Sequence, residues 1–499
     1  MWSQSNPYLN GLYEPLNNEY VIEELRVIGD IPRELNGALY RMTTNQQHQP
    51  FNADRFHWFD GDGMVHAFYL RDGKASYRNR WILEDGLRAE RAAGRTLYNG
   101  LMSGSGIAKD ELPPGAPQIK VPPNINIVTL GGRLLALNED APHYWEIAPN
   151  TLETVQRFDF DQAFAEFGDD GMLTAHPHLD TVSGEMLFYA INPQSCILEC
   201  FTVGIDGAVN SRHKVQLDAP AWIHDFSFTE HYWVFFFGSL NCRASSVEVA
   251  RKEFGMIYND PDLRSRILLI ERETGNPTWI PETDLYMVTH FLNAYQENGR
   301  VIVDAGISQM APSSSDLRVG DFFPFPLPDK GTSPFSGPEL HRWVINPQTA
   351  KAEHTRLGEF NGEFFRINEA VGGTKHQFGY MAAVHRPKGE VTGFNCLVKH
   401  DFTTGQFHYQ FLSQIQDHCP GEPIFVAKPG ATAEDEGWIL AVWGDPEKNT
   451  SELVILDAQD FAGEPLARVM LDHRVTAGFH GNWISDEQLA IGKAAALGR

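Results

Sequence analysis

Four histidines stand in short stretches that each combine one imidazole with strand-forming residues. They are His176 in TAHPHLD, His224 in AWIHDFSFTE, His290 in VTHFLNAY and His480 in GFHGNW. Neutral imidazole is a borderline ligand that suits iron, copper, zinc and nickel, so four of them brought together would form an all-nitrogen metal site. The chain has 19 histidines, however, and the spacing alone leaves scattered structural histidines open as the alternative.

The residues after His224 indicate which kind of element would position such a side chain. Aromatic and branched residues dominate positions 226–228 and 232–236, which favours β-strands, and the polar residues 229–231 between them favour a reversal of the chain. We therefore predict that His224 lies just before a strand that folds back on the next one. The other three stretches predict the same position, at the start of a strand, for their histidines.

Short apolar or alternating runs joined by glycine turns recur along the whole chain. Typical turn sequences are the Asp-Gly pairs at 72–73 and 206–207 and the Gly-Gly pair at 131–132. Antiparallel hairpins without regularly interleaved helices argue against a βαβ sheet and favour an all-β propeller or large barrel. The repeated units differ too much from one another for the blades to be counted.

Few segments favour helices. GLRAERAAGRTLYNGL (residues 86–101) predicts one helix and DQAFAEFG (residues 161–168) a shorter one, both as caps over the sheets. The segment 311–339 is rich in Pro, Phe and Ser, which indicates an irregular loop. A loop of that length inside a compact domain is usually functional, so we interpret it as a lid or tunnel wall, with wedging of its phenylalanines into the core as the alternative.

Composition excludes several classes of function. The 40 Lys+Arg and 65 Asp+Glu residues give a formal net charge of −25, which repels the phosphates of nucleic acids. The N-terminus has no signal-peptide pattern, no run approaches the length of a membrane span, and the five cysteines are scattered, so we expect a cytoplasmic protein. Dinucleotide-binding and P-loop motifs are absent, as is the G-x-S-x-G elbow of hydrolases, so no organic cofactor is expected.

Several motifs, in a defined order, resemble those of one family. They are HWFDGDGMVHAF, TAHPHLD, WIHDFSFTE, VTHFLNAY, GEPIFVAKPGATAEDEGW, SELVILDAQD and GFHGNW. From about Gly37 to Trp483 this series is similar to that of the carotenoid cleavage oxygenases, which include apocarotenoid oxygenases and lignostilbene dioxygenases. The resemblance implies an all-β fold: one seven-bladed propeller domain over residues 1–499. Dome insertions near 86–120 and 311–339 would lie over an axial metal site.

The resemblance also implies a set of site residues. Fe2+ would be held by four ligands, while His178 in TAHPHLD would not bind metal. Three glutamates would orient the ligands, because a carboxylate that accepts the far ring N–H fixes the tautomer and raises ligand basicity. The implied ligands are His176, His224, His290 and His480, and the implied glutamates are Glu139, Glu363 and Glu422.

The implied reaction is the cleavage of a C=C double bond by O2, with two carbonyl fragments as products. We expect an apocarotenoid-like polyene as the substrate and no catalytic residues beyond the metal centre. The alternatives are cleavage of a hydroxystilbene or phenylpropenoid, and an inactive metal-binding scaffold. The expected partners are a small hydrophobic alkene and O2, with weak peripheral membrane contact for substrate uptake and no nucleic acid.

The preference for a polyene rests on two positions in the resemblance. Lignostilbene-type members carry a Tyr and a Lys that are thought to bind the phenol of the substrate, and the matching residues here are Met102 and Asn138. A thioether has no acid–base function but adapts to a long hydrocarbon, and an amide lacks the charge that stabilises a phenolate. We therefore predict a substrate tunnel formed by Phe59, Tyr98, Met102 and Asn138.

An alternative alignment remains open at the predicted tunnel. Tyr98 lies close to Met102 in sequence and would supply the phenol-binding hydroxyl if the alignment slips. A cation would then come from one of three basic residues, Lys109, Lys120 and Arg133. The FPFP sequence in the 311–339 loop also resembles the stilbene cleavers.

Overall fold

The computed structural model contains seven antiparallel β-sheets, numbered I to VII here, and a separate two-stranded ribbon. It describes residues 2–3, 5–54, 56–98, 100, 111–242, 257–259, 263–282, 284, 286–309, 338–385, 394–412 and 418–490. The seven sheets form a seven-bladed propeller, which confirms the predicted fold class.

The strands in chain order are β1 (Val21–Ile22), β2 (Arg26–Gly29), β3 (Gly37–Thr44), β4 (Gly63–Arg71), β5 (Lys74–Trp81), β6 (Asn126–Leu130), β7 (Arg133–Leu137), β8 (Tyr144–Ile147), β9 (Thr154–Phe158), β10 (Met172–Leu173), β11 (His178–Asp180), β12 (Glu185–Asn192), β13 (Ile197–Val203), β14 (Val209–Gln216), β15 (Ser227–Phe228), β16 (Tyr232–Phe237), β17 (Leu240–Cys242), β18 (Ile257–Asn259), β19 (Arg266–Glu271), β20 (Pro277–Pro281), β21 (Tyr286–Glu297), β22 (Arg300–Gln309), β23 (Glu339–Asn346), β24 (Lys351–Arg356), β25 (Asn361–Arg366), β26 (Phe378–Val384), β27 (Cys396–Asp401), β28 (Gln406–Gln410), β29 (Cys419–Pro420), β30 (Ile424–Ala427), β31 (Gly437–Asp445), β32 (Thr450–Asp457), β33 (Ala467–Leu471) and β34 (Gly478–Ser485).

Most sheets are built from consecutive strands, and the two ends of the chain share sheets I and VII. Sheet I has the order β1-β5-β4-β3-β34, and sheet VII has the order β2-β33-β32-β31-β29, with β30 on β31. Sheets II to VI are β6–β9, β10–β14, β15-β16-β19-β20, β21–β24 and β25–β28, and β17 with β18 forms the ribbon. Pairing of β34 with β3 closes the ring, because it joins the last strand to the first sheet.

The predicted turns join the strands that they were expected to join. Residues 72–73 connect β4 to β5, residues 131–132 connect β6 to β7, and the 206–207 turn connects β13 to β14. At the first of these turns Asp72 and Gly73 both have positive φ, at 49° and 78°. Two successive left-handed residues match the twist of a tight hairpin, and Gly adopts this conformation without steric cost.

Seven apolar clusters lie between successive sheets and hold the ring together. Each cluster draws residues from two neighbouring sheets, and one of them joins sheet VII to sheet I, where Leu440 and Leu453 pack with Leu39. Trp343 and Trp443 are fully buried in the clusters between sheets IV and V and between sheets VI and VII. Since each sheet buries both faces in this way, the inner strand edges meet around one axis.

The helix predictions need correction. Helix α1 (Asp85–Ala93) ends well before Leu101, because Gly94 adopts a left-handed conformation (φ 66°) and its N–H bonds back to the last turn. The second predicted helix is replaced by two 3-10 turns, Phe160–Gln162 and Ala165–Asp170, because residues inside them, including Asp161 (φ 53°) and Gly168 (φ 59°), have a positive φ that a regular helix does not contain. The other 3-10 turns are Pro7–Leu9, Gly11–Tyr13, Trp58–Asp60 and Glu369–Val371.

Much of the predicted dome lies outside the described residues. This holds for positions 101–110 and 310–337, so the dome over the axis stays a prediction. Helix α1 packs through Leu87 on Met64 and Trp81 of sheet I. None of the helices in the described residues has the length and apolar character needed to cross a membrane.

Candidate metal centre

The four predicted ligand histidines meet at the axis of the propeller. One ring nitrogen of each lies within 4.8 Å of the corresponding atoms of the other three. The Nε2 atom of His224 is 3.2 Å from that of His176 and 3.1 Å from that of His290. All are buried except His290, which is partly buried. Two nitrogens bound at right angles to one ion, at about 2.1 Å each, would be about 3.0 Å apart, so these separations fit a shared ion.

The prediction that each histidine begins a strand is correct for two of the four. His224 precedes β15, and His176 lies between β10 and β11, whereas His290 lies inside β21 and His480 inside β34. Both of these strands are the innermost of their sheets, so one edge faces the axis along their whole length. At His290 a register irregularity between Val288 and Phe291 also changes the regular alternation of side chains.

Three glutamates each accept a hydrogen bond from the outward ring nitrogen of one histidine. The pairs, with their Nδ1–oxygen distances, are His224 with Glu139 (2.6 Å), His290 with Glu363 (2.6 Å) and His480 with Glu422 (2.8 Å). The proton on Nδ1 leaves the lone pair on Nε2 directed inward, which is the arrangement that metal-binding histidines adopt.

Each of the seven sheets, or a loop next to one of its strands, supplies one member of this arrangement. Strands of sheets V, VI and I carry His290, Glu363 and His480, whereas the loops beside strands of sheets II, III, IV and VII carry Glu139, His176, His224 and Glu422. The four imidazoles are neutral donors, so the three carboxylates are the groups that offset the charge of a divalent cation.

Burial and neighbouring groups set the protonation of the site. Burial lowers the pKa of His480 to about 4, and burial together with the neighbouring histidines holds that of His176 well below its usual value. Burial also opposes a charge on His290, but Glu363 outweighs it and raises the pKa of that imidazole. The pKa of Glu363 is lowered despite its burial, because His290 and a hydrogen bond from Thr289 stabilise the carboxylate.

Comparison with known proteins identifies the family to which this arrangement belongs. Residues 13–485 match the family described as retinal pigment epithelial membrane protein. The chain belongs to the carotenoid oxygenase family.

Three relatives illustrate the similarity of this chain to other proteins. The isoeugenol monooxygenase of Pseudomonas nitroreducens is 28% identical over 97% of this chain and 98% of its own. The apocarotenoid-15,15'-oxygenase of Synechocystis sp. is 30% identical over 94% of each chain. The crystal structure of Pseudomonas brassicacearum lignostilbene dioxygenase has a TM-score of 0.85 and 27% identity, and the match covers 97% of this chain and 99% of that chain.

In this family member His178 points away from the four-histidine cluster. Its Nε2 lies 2.7 Å from the carbonyl oxygen of Phe226 and 3.3 Å from a carboxylate oxygen of Asp225. The ring therefore directs its Nε2 atom toward the chain that follows His224.

Sequence reasoning missed residues that support the glutamates. Arg366 donates from Nε to Glu422 (2.8 Å) and from a terminal nitrogen to the carbonyl of Gly481 (2.8 Å), the residue after His480. Thr289 donates to Glu363. One strand, β25, therefore carries both Glu363 and the arginine that holds Glu422. A signal was present in GEFFRIN, where an arginine stands three residues from a predicted site glutamate in an apolar run.

The predicted tunnel residues have separate surroundings. Phe59 packs edge-on against Phe479, with ring centroids 5.0 Å apart, directly beside His480 in sequence. Tyr98 donates its hydroxyl to the carbonyl of Pro117 (2.9 Å). Asn138 is buried next to Glu139 in sequence, and neither polar atom of its amide has a hydrogen-bond partner among the described residues. Met102 lies outside the described residues.

Proposed function

We propose that this protein is an Fe(II)-dependent oxygenase that uses O2 to cleave a C=C double bond of a conjugated alkene into two carbonyl products. The observation that carries the proposal is the convergence of four histidines, three of them backed by buried glutamates, at the axis of a carotenoid-oxygenase propeller. A scaffold without catalytic activity has no chemical need for four converging histidines that are held by three buried glutamates.

The donor set fits the proposed metal. His176, His224, His290 and His480 would hold the ion, and four nitrogen ligands on an octahedral ion leave two positions for other ligands. Bound Fe(II) would supply the redox chemistry with O2. Glu139, Glu363 and Glu422 would keep the proton on each Nδ1, so that Nε2 stays available for the ion, and would offset its charge.

We propose an apocarotenoid-like polyene as the substrate, because the two candidate cations for a phenolate that lie in the described part of the chain are engaged elsewhere; the third, Lys109, lies outside the described residues. Lys120 is buried between Asp62 and Glu90, with Nζ 2.6 Å from the latter carboxylate. Arg133 lies 3.6 Å from Glu146. The charge of each is thus balanced by carboxylates of the protein. A long hydrocarbon requires no such cation, whereas a phenolate does.

A phenylpropenoid or hydroxystilbene is the second candidate, and the amide of Asn138 favours it. This buried side chain has an N–H donor and a carbonyl acceptor without partners among the described residues. Buried polar groups are normally satisfied, and a phenol hydroxyl could accept from one and donate to the other.

Comparison of the two substrate classes tests the proposal. The Fe(II)-loaded full chain is incubated with O2 and either an apocarotenal or a 4-hydroxystilbene, and the carbonyl products are identified by mass. We expect His290→Ala to cleave neither substrate. For the wild-type chain we expect a higher kcat/KM with the apocarotenal than with the stilbene. A hundredfold preference for the stilbene that is lost in Asn138→Leu would establish the second candidate. Stoichiometric zinc without iron in the purified protein, or no cleavage of any alkene, would overturn the function.

A further inference from the structure

Three chain segments that carry ligand histidines meet at one buried carboxylate, Asp225. This residue directly follows His224, and its Oδ2 accepts the backbone N–H of Phe291 (2.9 Å), the residue directly after His290. Its Oδ1 lies 3.3 Å from Nε2 of His178, two residues after His176. One side chain therefore contacts the segments of three of the four histidines.

This contact matters most for His176, whose ring differs from the other three. In the described part of the chain no carboxylate lies within ion-pair distance of it, whereas His224, His290 and His480 each have a glutamate. The chain at His176 is instead fixed by its own N–H, which donates to Thr174 (3.0 Å), and by the contacts of His178 two residues later.

We propose that Asp225 is a positioning residue, which fixes the spacing between the segments of His176, His224 and His290 and thereby sets the affinity of the site for its metal. The inference rests on the proposed metal centre. The carboxylate is suited to this role because it accepts from several N–H groups at once: Oδ1 also accepts the N–H of Phe226 (2.7 Å). The first ligand segment is held through His178, and the third directly through the backbone of Phe291.

Replacement of Asp225 by Asn would disturb these hydrogen bonds while keeping the size of the side chain. An amide has one acceptor oxygen, so its NH2 group would face either the N–H of Phe291 or the donors around Oδ1. A donor facing a donor forces one of the segments to move. Changes in the residues that orient metal ligands typically weaken metal binding about 10–100-fold, and we expect this range for Asp225→Asn.

The matched control is Asp304→Asn. Asp304 is also a fully buried carboxylate near a histidine, with Oδ2 3.2 Å from Nε2 of His376, and it accepts two hydrogen bonds from Arg342. It lies on β22, the second strand of sheet V, and among the described residues its carboxylate makes no hydrogen bond or ion pair with any of the four ligand segments. Both substitutions are expected to lower the melting temperature of the metal-free protein.

The experiment is a Co2+ titration of the chelator-treated full chain, with the visible absorption of the bound ion as the signal. Asp225→Asn should bind about 10–100-fold more weakly with altered band positions, while Asp304→Asn binds like wild type. His178→Gln, which keeps a donor for Asp225, should bind more tightly than His178→Ala. Wild-type affinity and spectrum in Asp225→Asn, or equal weakening in Asp304→Asn, would overturn the inference. Failure of the wild-type chain to bind Co2+ would instead contradict the proposed function.

Discussion

Within the described residues, the axial site and an outer cluster both bury histidines beside carboxylates, yet of these two only the axial site is arranged to hold a metal. The axial site contains the four converging histidines and three glutamates described above. The outer cluster, which we define as Asp304, Arg342, His376 and His400, lies between sheets V and VI and is built from similar residue types at similar burial.

The difference lies in which ring nitrogen is left free. At the axis, Nδ1 of His290 donates to Glu363, and its Nε2 lies near that of His224. In the outer cluster both nitrogens of His376 are near partners: Nδ1 is 3.0 Å from the Nδ2 of Asn293, and Nε2 is 3.2 Å from Asp304. The charge of Asp304 is also balanced by Arg342. A free inward nitrogen, rather than a buried His–carboxylate pair, therefore distinguishes the candidate metal site.

Removing one imidazole from each region should separate them most clearly. His290→Ala deletes one of four ligands, so we expect the iron content to fall from about one per chain to near zero and cleavage activity to disappear. His376→Ala removes a buried polar contact and should reduce stability but leave the iron content unchanged. Metal analysis of the two purified variants checks this comparison. Full iron occupancy in His290→Ala would contradict the assignment of the axial site.

Changing a carboxylate in the axial site should have a smaller effect. Glu363→Gln keeps the size of the side chain but removes the charge that accepts from His290 and Thr289. We expect metal affinity or turnover to fall about 10–100-fold, with the fold retained. Equilibrium titration of the chelated protein measures the affinity, and circular dichroism checks the fold. Unchanged binding would mean that Glu363 has no influence on the ligand histidine.

A residue of the outer cluster, His400, should instead affect how the free energy of unfolding depends on pH. Burial lowers the pKa of His400 to about 4, below its ordinary value of 6.5. Between these values the unfolded chain binds a proton that the native protein does not, so stability falls as pH falls. His400→Phe removes the group that takes up this proton and keeps an aromatic ring between Phe402 and Phe407. From pH 7 to pH 5 the variant should therefore lose about 1–2 kcal/mol less stability than wild type.

Urea unfolding of both proteins at the two pH values measures this difference. Metal affinity at pH 7 should be the same in His400→Phe and wild type, because His400 lies on β27, the third strand of sheet VI. An identical loss of stability on acidification would show that His400 does not take up a proton on unfolding in this range.

Local patterns predicted much of the fold. The turn pairs at 72–73 and 131–132 determine hairpins because only a few residue types adopt two successive left-handed conformations easily, whereas at 206–207 only Gly207 has a positive φ (84°). The number of sheets was available only through the resemblance to a family, since the repeated units share no clear sequence period. The end of α1 was mispredicted because its apolar pattern continues to Leu97, whereas the chain leaves the helix at Gly94.

The sequence by itself determined the types of groups in the candidate site: four imidazoles in strand-forming stretches and, through the family motifs, three glutamates. Only the tertiary structure decided how they combine. The partners in each His–Glu pair are 85, 73 and 58 residues apart, and they come from different sheets. The contacts of Asp225 and Arg366 likewise join separate sheets. Such pairings depend on how the sheets are arranged around the axis, because residues that are far apart in sequence and lie on different blades meet only where the ring closed by β34 brings the blades together.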